Sequence, residues 1–154
     1  NQGTQAVGLD IRNNIFTITR GGTGTKYCLN FTTNTTEFTS NWNNFFINAG
    51  GTNNHIGFLT AARTTLALWQ VNARKDSLSL NFDPIYTDSA NGNFMPQMFP
   101  LNDKGINVNV SADIMGALRS TTTPDIGAWE FAPPPCASPV LTGTASVTPN
   151  SGAC

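Results

Sequence analysis

The chain has 154 residues, of which 11% are charged, and a formal net charge of −1. This low, scattered charge argues against a nucleic-acid-binding protein, which needs a basic patch to neutralise phosphates. No run of about 18 apolar residues occurs, so we expect no direct membrane span. The 39% apolar content is enough for a packed interior.

Most of the chain carries strand-like patterns. The stretch IRNNIFTITR at 11–20 contains a short apolar segment, and KYCLNF at 26–31 alternates apolar and smaller residues. The stretch INVNVS at 106–111 alternates strictly with a period of two, which predicts another strand. Breaks rich in Gly, Asn and Pro separate these segments.

One stretch, TTLALWQVNARK, has a helical pattern instead. Leu66, Trp69 and Ala73 recur at helical spacing, and either of the two threonines before them offers an N-cap hydroxyl. We therefore predict a helix over about 65–73. One short helix among many strands excludes a doubly wound α/β fold and leaves a sandwich or a solenoid.

Pairs of asparagines at 13–14, 43–44 and 53–54 are candidate turns. In a parallel β-helix, successive turns of chain stack about 4.8 Å apart. Equivalent Asn side chains can then form ladders at the turns. The amide content favours this solenoid, although Asn-rich loops also occur in sandwiches.

Three motifs occur in the order IRNNIF, TTLALWQVNARKDSLSLNFDPIYTDSANGNFMPQ and DIMGALRSTTTPDIGAWEF. They resemble, respectively, a coil, the segment that closes the helix and the ending of right-handed parallel β-helix (pectate-lyase-like) cell-surface proteins of Bacteroidetes. The resemblance covers about residues 8–131. It implies an all-β fold, namely the C-terminal coils plus cap of a right-handed parallel β-helix, with one short α-helix. The matching positions are Trp69, Gln70, Asp76, Ser77, Asp83, Pro84, Tyr86, Asp88, Gly92, Phe94, Asp113, Gly116, Arg119, Asp125, Ile126, Gly127, Ala128, Trp129 and Glu130.

The tail CASPVLTGTASVTPNSGAC resembles the first strand of Ig-like repeats in large surface proteins of the same bacteria. We therefore expect coils and cap at 1–131, a stiff Pro-rich linker at 132–135, and a truncated Ig-like strand at 136–154. The first residue, Asn1, is not a natural beginning, so we expect a piece of something larger.

The three cysteines leave one over if two of them pair. Cys136 and Cys154 bracket the tail at a spacing that permits a disulfide. Cys28 lies far from them, and we expect a small buried or half-buried side chain there.

The ending motif supplies a candidate structural cap. A Trp is large enough to close the open end of the stack, and a bidentate Arg–carboxylate pair would fix the last turns. We expect Ile126 and Ala128 to face the core. A carboxylate pair for glycoside cleavage is the disfavoured alternative, because the motif sits at the closing end. The candidate cap residues are Asp113, Arg119, Asp125, Trp129 and Glu130.

Evidence for a cofactor is weak. Asp83, Asp88 and Asp103 could give oxygens to Ca²⁺, but they lack the dense alternation of a calcium loop. Turn formation is the favoured interpretation. The only histidine, His55, has no partner motif, so we expect neither a metal site nor a catalytic triad.

Aromatic residues are candidates for a platform that stacks on sugar rings, although most of them should be core. These candidates are Trp42, Phe45, Phe46, Phe58, Tyr86 and Phe94.

Several triplets match glycosylation patterns. Those at Asn30, Asn34 and Asn109 fit the N-glycosylation pattern. Ser77 and Ser89 lie in triplets that resemble the O-glycosylation sites of Bacteroidetes.

These features predict a non-enzymatic module of a large secreted, surface-displayed protein. The resemblance implies export by the type IX route and an extracellular, outer-membrane-associated location. The expected role is that of an adhesin, in attachment or gliding motility, with an extracellular glycan, a surface or another cell-surface protein as partner. One alternative is a polysaccharide lyase or glycosidase whose active site lies upstream. The other is a structural subunit of a surface filament.

Overall fold

The computed structural model describes residues 6–33 and 36–134. Within these ranges lie seven short strands, one α-helix and two 3-10 turns. None of the helices there is long and apolar enough to cross a membrane. The strands are β1 Leu9–Arg12, β2 Ile15–Ile18, β3 Lys26–Phe31, β4 Phe38–Asn41, β5 Asn44–Ile47, β6 Asn54–Leu59 and β7 Ala61–Arg63; the helix is α1 Leu66–Ala73, and the 3-10 turns are Ser89–Asn91 and Phe99–Leu101.

Six of the strands form three parallel pairs. β1 pairs with β4, β2 with β5 and β3 with β6. β7 then adds to the other edge of β6 in the antiparallel direction. The described chain is therefore a small mixed domain whose sheets have only two or three strands.

The predicted right-handed parallel β-helix is wrong for the described residues. The three sheets are separate and short, and they do not close into a solenoid. After β6 the chain reverses at Thr60, whose φ is 65°, and returns as β7 before entering α1. A single parallel bridge, between Asn44 and Leu80, is what extends the ladder of β5. The antiparallel return and the helix take the place of further stacked turns.

Two of the asparagine pairs do occupy turns between strands. Asn13 and Asn14 join β1 to β2, and Asn43 precedes β5. The side-chain oxygen of Asn43 accepts from the backbone N–H of Asn14 at 2.9 Å and from its amide nitrogen at 3.1 Å. The asparagine pairs in the sequence therefore correctly located two turns whose Asn residues are hydrogen-bonded to each other.

The strand predicted at 106–111 is wrong. In this stretch Asn109 has φ 61°, and its N–H donates to the side chain of Asn107 at 2.7 Å. The amide of Asn107 donates instead to the carbonyl of Thr121. Asn side chains that bond locally compete with a strand ladder, so the period-two pattern does not produce a strand here.

The core is an aromatic stack between the sheets and α1. Trp69 is fully buried, and its ring lies 6.5 Å from Phe31 and 6.3 Å from Phe38. Gly57 makes room for it, because a Cβ there would meet the Trp69 ring at 2.4 Å. The buried members of this cluster are Leu29, Phe31, Phe38, Phe45, Ile56 and Trp69.

The predicted helix is confirmed, and it begins one residue late. Thr65 is its N-cap, and the hydroxyl accepts from the N–H of Leu68 at 3.2 Å. Leu66 and Ala73 pack against the core beside Trp69, as their spacing predicted. The helix ends at Arg74, which has a left-handed conformation.

A buried carboxylate joins α1 to the sheets. Asp76 is fully buried, and its Oδ1 accepts from Ser40 Oγ at 2.9 Å, Ser79 Oγ at 2.7 Å and Asn43 Nδ2 at 3.2 Å. Its Oδ2 accepts from the indole N–H of Trp69 at 2.8 Å. One side chain thus joins the main aromatic of α1 to strand β4, to the turn before β5 and to the segment after α1.

The backbone of Asp76 also forms hydrogen bonds to both β4 and α1. Its N–H donates to the carbonyl of Ser40 at 2.9 Å, and its carbonyl accepts from Gln70 at 2.7 Å. Its φ of 60° is a conformation that Asp tolerates better than most residues. We name Asp76 with its side-chain donors Ser40, Asn43, Trp69 and Ser79 the Asp76 network.

We predict that Asp76→Ala lowers the free energy of unfolding by about 3 kcal/mol or more, because it leaves several buried donors without an acceptor. Urea denaturation followed by tryptophan fluorescence would measure this. The matched control is Asp83→Ala, at an exposed turn, with an expected loss of about 1 kcal/mol or less. Equal losses in the two variants would contradict the central role of the network.

Candidate functional site

The segment after residue 83 is held together by carboxylates that bind backbone N–H groups. Asp125 is buried, and its two oxygens accept from the N–H groups of Asp103 at 2.7 Å and Phe131 at 2.6 Å. These bonds tie three separate parts of an irregular segment to one side chain. Because the segment lacks named strands, side-chain acceptors supply the order that a ladder would otherwise give.

Arg119 and Glu130 form the second part of this arrangement. Arg119 donates to the carbonyls of Gly127 at 3.0 Å and Asp125 at 2.6 Å, and its Nε lies 3.3 Å from Glu130 Oε1. Glu130 accepts from the N–H groups of Asp125 at 3.0 Å and Ser120 at 3.3 Å. The guanidinium therefore joins two loops through main-chain carbonyls as well as through one ion pair.

Asp113 holds the remaining loop. Its Oδ1 accepts from the N–H groups of Met115 and Ala117, each at 2.8 Å, and its Oδ2 accepts from the N–H of Glu130 at 3.0 Å. The structure thus brings together four residues that the sequence proposed for a cap. We name Asp113, Arg119, Asp125 and Glu130 the carboxylate cluster.

Trp129, the fifth proposed cap residue, has a different position. It is half-buried and lines a cleft on the surface, and the part of the chain that the structure describes contains no closed stack for it to plug. Its neighbour Ala128 is exposed, which corrects the expectation that it faces the core, whereas Ile126 is fully buried. Gly127 lies between the two and is the residue that lets this segment approach β2.

Gly127 meets the body of the domain at the turn before β2. Its N–H donates to the carbonyl of Asn13 at 2.9 Å, and its φ is 112°. A Cβ at this position would lie 2.8 Å from Ile15 Cδ1, so a side chain would push the segment away. Asn13 also exchanges two side-chain hydrogen bonds with the backbone of Ile106, at 2.6 and 2.9 Å.

A cleft of about 400 Å³ lies where this segment meets β2. A second cleft of about 300 Å³ shares Ile15, Tyr86 and Phe94 with it and continues along β2. We name the two together the aromatic groove. Its lining is Asn13, Asn14, Ile15, Thr17, Thr19, Tyr86, Ser89, Phe94, Gly127, Ala128 and Trp129.

The aromatic side chains of the groove are held in place. The rings of Tyr86 and Phe94 meet edge to face, with centroids 5.4 Å apart. The hydroxyls of Tyr86 and Thr17 share a hydrogen bond of 2.8 Å. Phe94 is 46% exposed, so its ring remains available to a ligand. Burial raises the pKa of Tyr86, as does the nearby charge of Asp83, while the bond to Thr17 acts in the opposite direction.

Of the six predicted platform aromatics, the structure places two in this groove, Tyr86 and Phe94. Phe45 is fully buried and stacks on Phe16 at 5.1 Å, which makes it core. Phe58 packs against Tyr27. Trp42 and Phe46 are half-buried and lie outside the lining.

Sequence reasoning missed the third aromatic and the polar side of the groove. Trp129 was assigned to a plug, and Asn14 and Thr17 were treated as turn and strand residues. For Asn14 and Thr17, the signal that could have found them is a polar side chain on or just before the apolar segment that forms β2. Nothing in the sequence shows that the chain more than a hundred residues later returns to this strand.

The candidate calcium ligands lie in separate local turns. Asp83 accepts from the N–H of Ile85 at 3.0 Å, and Asp88 caps the 3-10 turn by accepting from Asn91. Asp103 donates its N–H to Asp125. The described residues include no group of three or more His, Cys, Asp or Glu that could hold a metal ion.

The remaining candidates are placed as follows. His55 stacks on Tyr27 with centroids 5.0 Å apart. Burial raises the pKa of Cys28 to about 12, so this half-buried residue is a thiol at neutral pH. The predicted glycosylation sites within the described residues are exposed, so each is accessible to a modifying enzyme; they are Asn30, Ser77, Ser89 and Asn109. Asn34, Cys136 and Cys154 lie outside the described residues, as does the whole of the predicted Ig-like strand at 136–154.

Comparison of the chain with protein-family models, with curated proteins and with solved structures gave no match.

The carboxylate cluster contains groups with opposite pKa shifts. Burial raises the pKa of Asp125, and the charges of Glu130 and Asp103 add to this, although two N–H bonds lower it. For Asp113 burial also acts to raise the pKa. There the N–H groups of Glu130, Ala117 and Met115, with the charge of Arg119, outweigh burial, and the pKa falls below its usual value.

We predict that these shifts give the domain opposite pH slopes in two windows. The folded state holds the Asp125 proton more tightly, so stability falls as pH rises from 3.8 through the folded pKa of that group. Asp113 contributes stability that is lost as pH falls below 3.8. Chemical denaturation across acidic pH should show Asp125→Asn losing the first slope and Asp113→Asn losing the second. An unchanged slope in either variant would contradict its assignment.

Proposed function

We propose that this chain is a non-catalytic carbohydrate-binding module of a secreted, surface-displayed protein, and that it acts in attachment. The observation that carries the proposal is the aromatic groove. Three aromatic side chains, Tyr86, Phe94 and Trp129, line it together with neutral amides and hydroxyls.

This lining has the chemistry that a sugar requires. A pyranose ring has an apolar C–H face that packs on an aromatic ring and hydroxyls that need directional partners. Binding sites commonly combine an apolar surface with a few placed polar groups. Here Asn14 is exposed at one end, and Thr19 and Ser89 are exposed along the groove. A flat, neutral, hydroxyl-rich ligand fits this surface better than an apolar or strongly charged one.

The state of the carboxylates supports binding rather than cleavage. Hydrolysis of a glycoside needs two carboxyl groups free to face the bond. Asp113, Asp125 and Glu130 each accept two or three backbone hydrogen bonds, so their oxygens are already engaged in holding loops. No side-chain carboxylate lines the groove itself. For the groove itself, these two features favour binding of a glycan over hydrolysis of a glycosidic bond.

A shallow groove of this size suits weak, repeated contacts. A single site of a few hundred Å³ holds a short stretch of glycan, and attachment gains strength when many such sites act on one surface. Cell-surface display would provide that repetition. The low charge of the chain, 11% of residues, limits non-specific electrostatic adhesion and leaves shape and hydrogen bonds to select the ligand.

We predict that Trp129→Ala and Phe94→Ala each weaken glycan binding about tenfold, because each removes one stacking surface. A glycan array would identify a ligand, and calorimetry on the purified chain would give the affinities. The matched control is Phe99→Ala. Phe99 is also exposed, at 55%, but lies outside the groove, so its loss should leave the affinity unchanged.

Folding of each variant would be checked by circular dichroism. Binding that is equally weakened by Phe99→Ala would contradict the assigned groove. Failure of the wild-type chain to bind any neutral or acidic glycan on the array would contradict the proposed function.

A further inference from the structure

The aromatic groove continues at its far end into a third cleft, of about 500 Å³. The two share Thr17 and Thr19, so the surface is continuous along β2 and the residues that follow it. Beyond these threonines the lining changes in character. It contains Arg20 and Lys26, together with Thr25, Tyr27 and Asn30. We name this third cleft the basic cleft.

Lys26 brings an uncompensated positive charge to the basic cleft. It is 2% exposed, and its ammonium donates to the carbonyls of Gly22 at 2.9 Å, Gly24 at 3.2 Å and Gly50 at 3.1 Å. These carbonyls satisfy all three N–H donors but supply no net negative charge. A buried charge is normally paired with an opposite one, and for Lys26 the described chain offers no carboxylate partner.

Arg20 adds a second positive charge, at the exposed side of the cleft. Within the described ranges the ion pairs are Arg12 with Asp10 and Arg119 with Glu130. Arg20 belongs to neither, and its side chain is exposed. Its planar guanidinium has the geometry to bind two oxygens of one anionic group.

The opposite ends of the continuous surface differ in charge. No Asp or Glu lines the basic cleft. Among the described residues, no Lys or Arg lines the aromatic groove. An anionic group on a ligand is therefore attracted at the Arg20 end and finds no positive partner at the Tyr86 end, which gives a bound chain a preferred direction.

We propose, on the basis of the function proposed above, that the basic cleft binds an anionic group on the glycan. The group is a carboxylate or a sulfate ester carried by a sugar unit next to those in the aromatic groove. Arg20 binds its oxygens, and the fixed charge of Lys26 favours its approach. Thr25 and Asn30 are exposed and supply polar partners for the hydroxyls of the same unit. The module thus recognises an acidic glycan in one orientation.

The test compares three oligosaccharides of equal length by calorimetry on the full chain. One is built from neutral hexoses, one carries a uronic acid at a single end, and one carries a sulfate ester at that end. We expect at least one acidic ligand to bind about tenfold more tightly than the neutral one. This gain should shrink at high salt. The two acidic ligands distinguish carboxylate from sulfate.

Variants assign the gain to the cleft. Arg20→Gln should remove the gain and leave binding of the neutral ligand intact. Arg20→Lys should keep part of it, because a point charge replaces the guanidinium fork. The matched control is Arg74→Gln, an exposed arginine outside the cleft, which should keep the full gain. Lys26 is not substituted, because its ammonium satisfies three carbonyls and the variant would be destabilised.

The outcomes separate this inference from the function it rests on. Equal binding of neutral and acidic ligands overturns the basic cleft and leaves the groove standing. A gain that survives Arg20→Gln, or one that does not depend on Trp129, also overturns the inference. Absence of binding by all three ligands overturns the inference, and absence of any binding on the glycan array overturns the proposed function as well.

Discussion

The fold depends on one buried carboxylate. Asp76 accepts from two serine hydroxyls, an asparagine amide and the indole of Trp69, and it does so without a positive partner. In a chain with so few charges, neutral donors supply what an ion pair would supply elsewhere, and a fully satisfied network specifies one arrangement of the core. Trp69 is thereby fixed between α1 and the sheets, and Phe31 and Phe38 stack on it. The short strands, which are weak alone, are stable because they share this joint.

The groove depends on a second use of the same principle. The carboxylate cluster orders a segment without strands by binding its N–H groups, and Gly127 brings that segment against Ile15. In this arrangement the half-buried Trp129 lines the same cleft as Tyr86 and Phe94. The Asp76 network therefore holds the sheets and α1 together, and the carboxylate cluster holds the segment after residue 83. The aromatic groove lies where these two parts meet. The carboxylates of the Asp76 network and of the carboxylate cluster do not line the groove, so the lining residues are free to interact with a ligand.

Local features were predictable where the cause is local. The helix followed from its spacing and its threonine cap, and the asparagine turns followed from amide pairs that tolerate unusual backbone angles. The stretch at 106–111 shows the limit, because strict alternation there competes with asparagines that bond to nearby backbone. The prediction of a solenoid was wrong for a different reason. Parallel pairing was present, but it involves only two strands in each sheet, and after β6 the chain reverses at Thr60 into the antiparallel β7 and then enters α1.

By itself, the sequence determined the helix, the amide turns and the low charge, which depend on residue type and on short spacings along the chain. The grouping of Asp113, Arg119, Asp125 and Glu130 was a prediction that rested on the resemblance of the ending motif. Only the tertiary structure decided the size of the sheets, the buried position of Asp76, and the meeting of Asn14, Tyr86 and Trp129 around one groove. The physical reason is that a contact between residues more than a hundred positions apart depends on how the whole chain packs. The periodicity of side chains along one segment does not show which distant segment will pack against it.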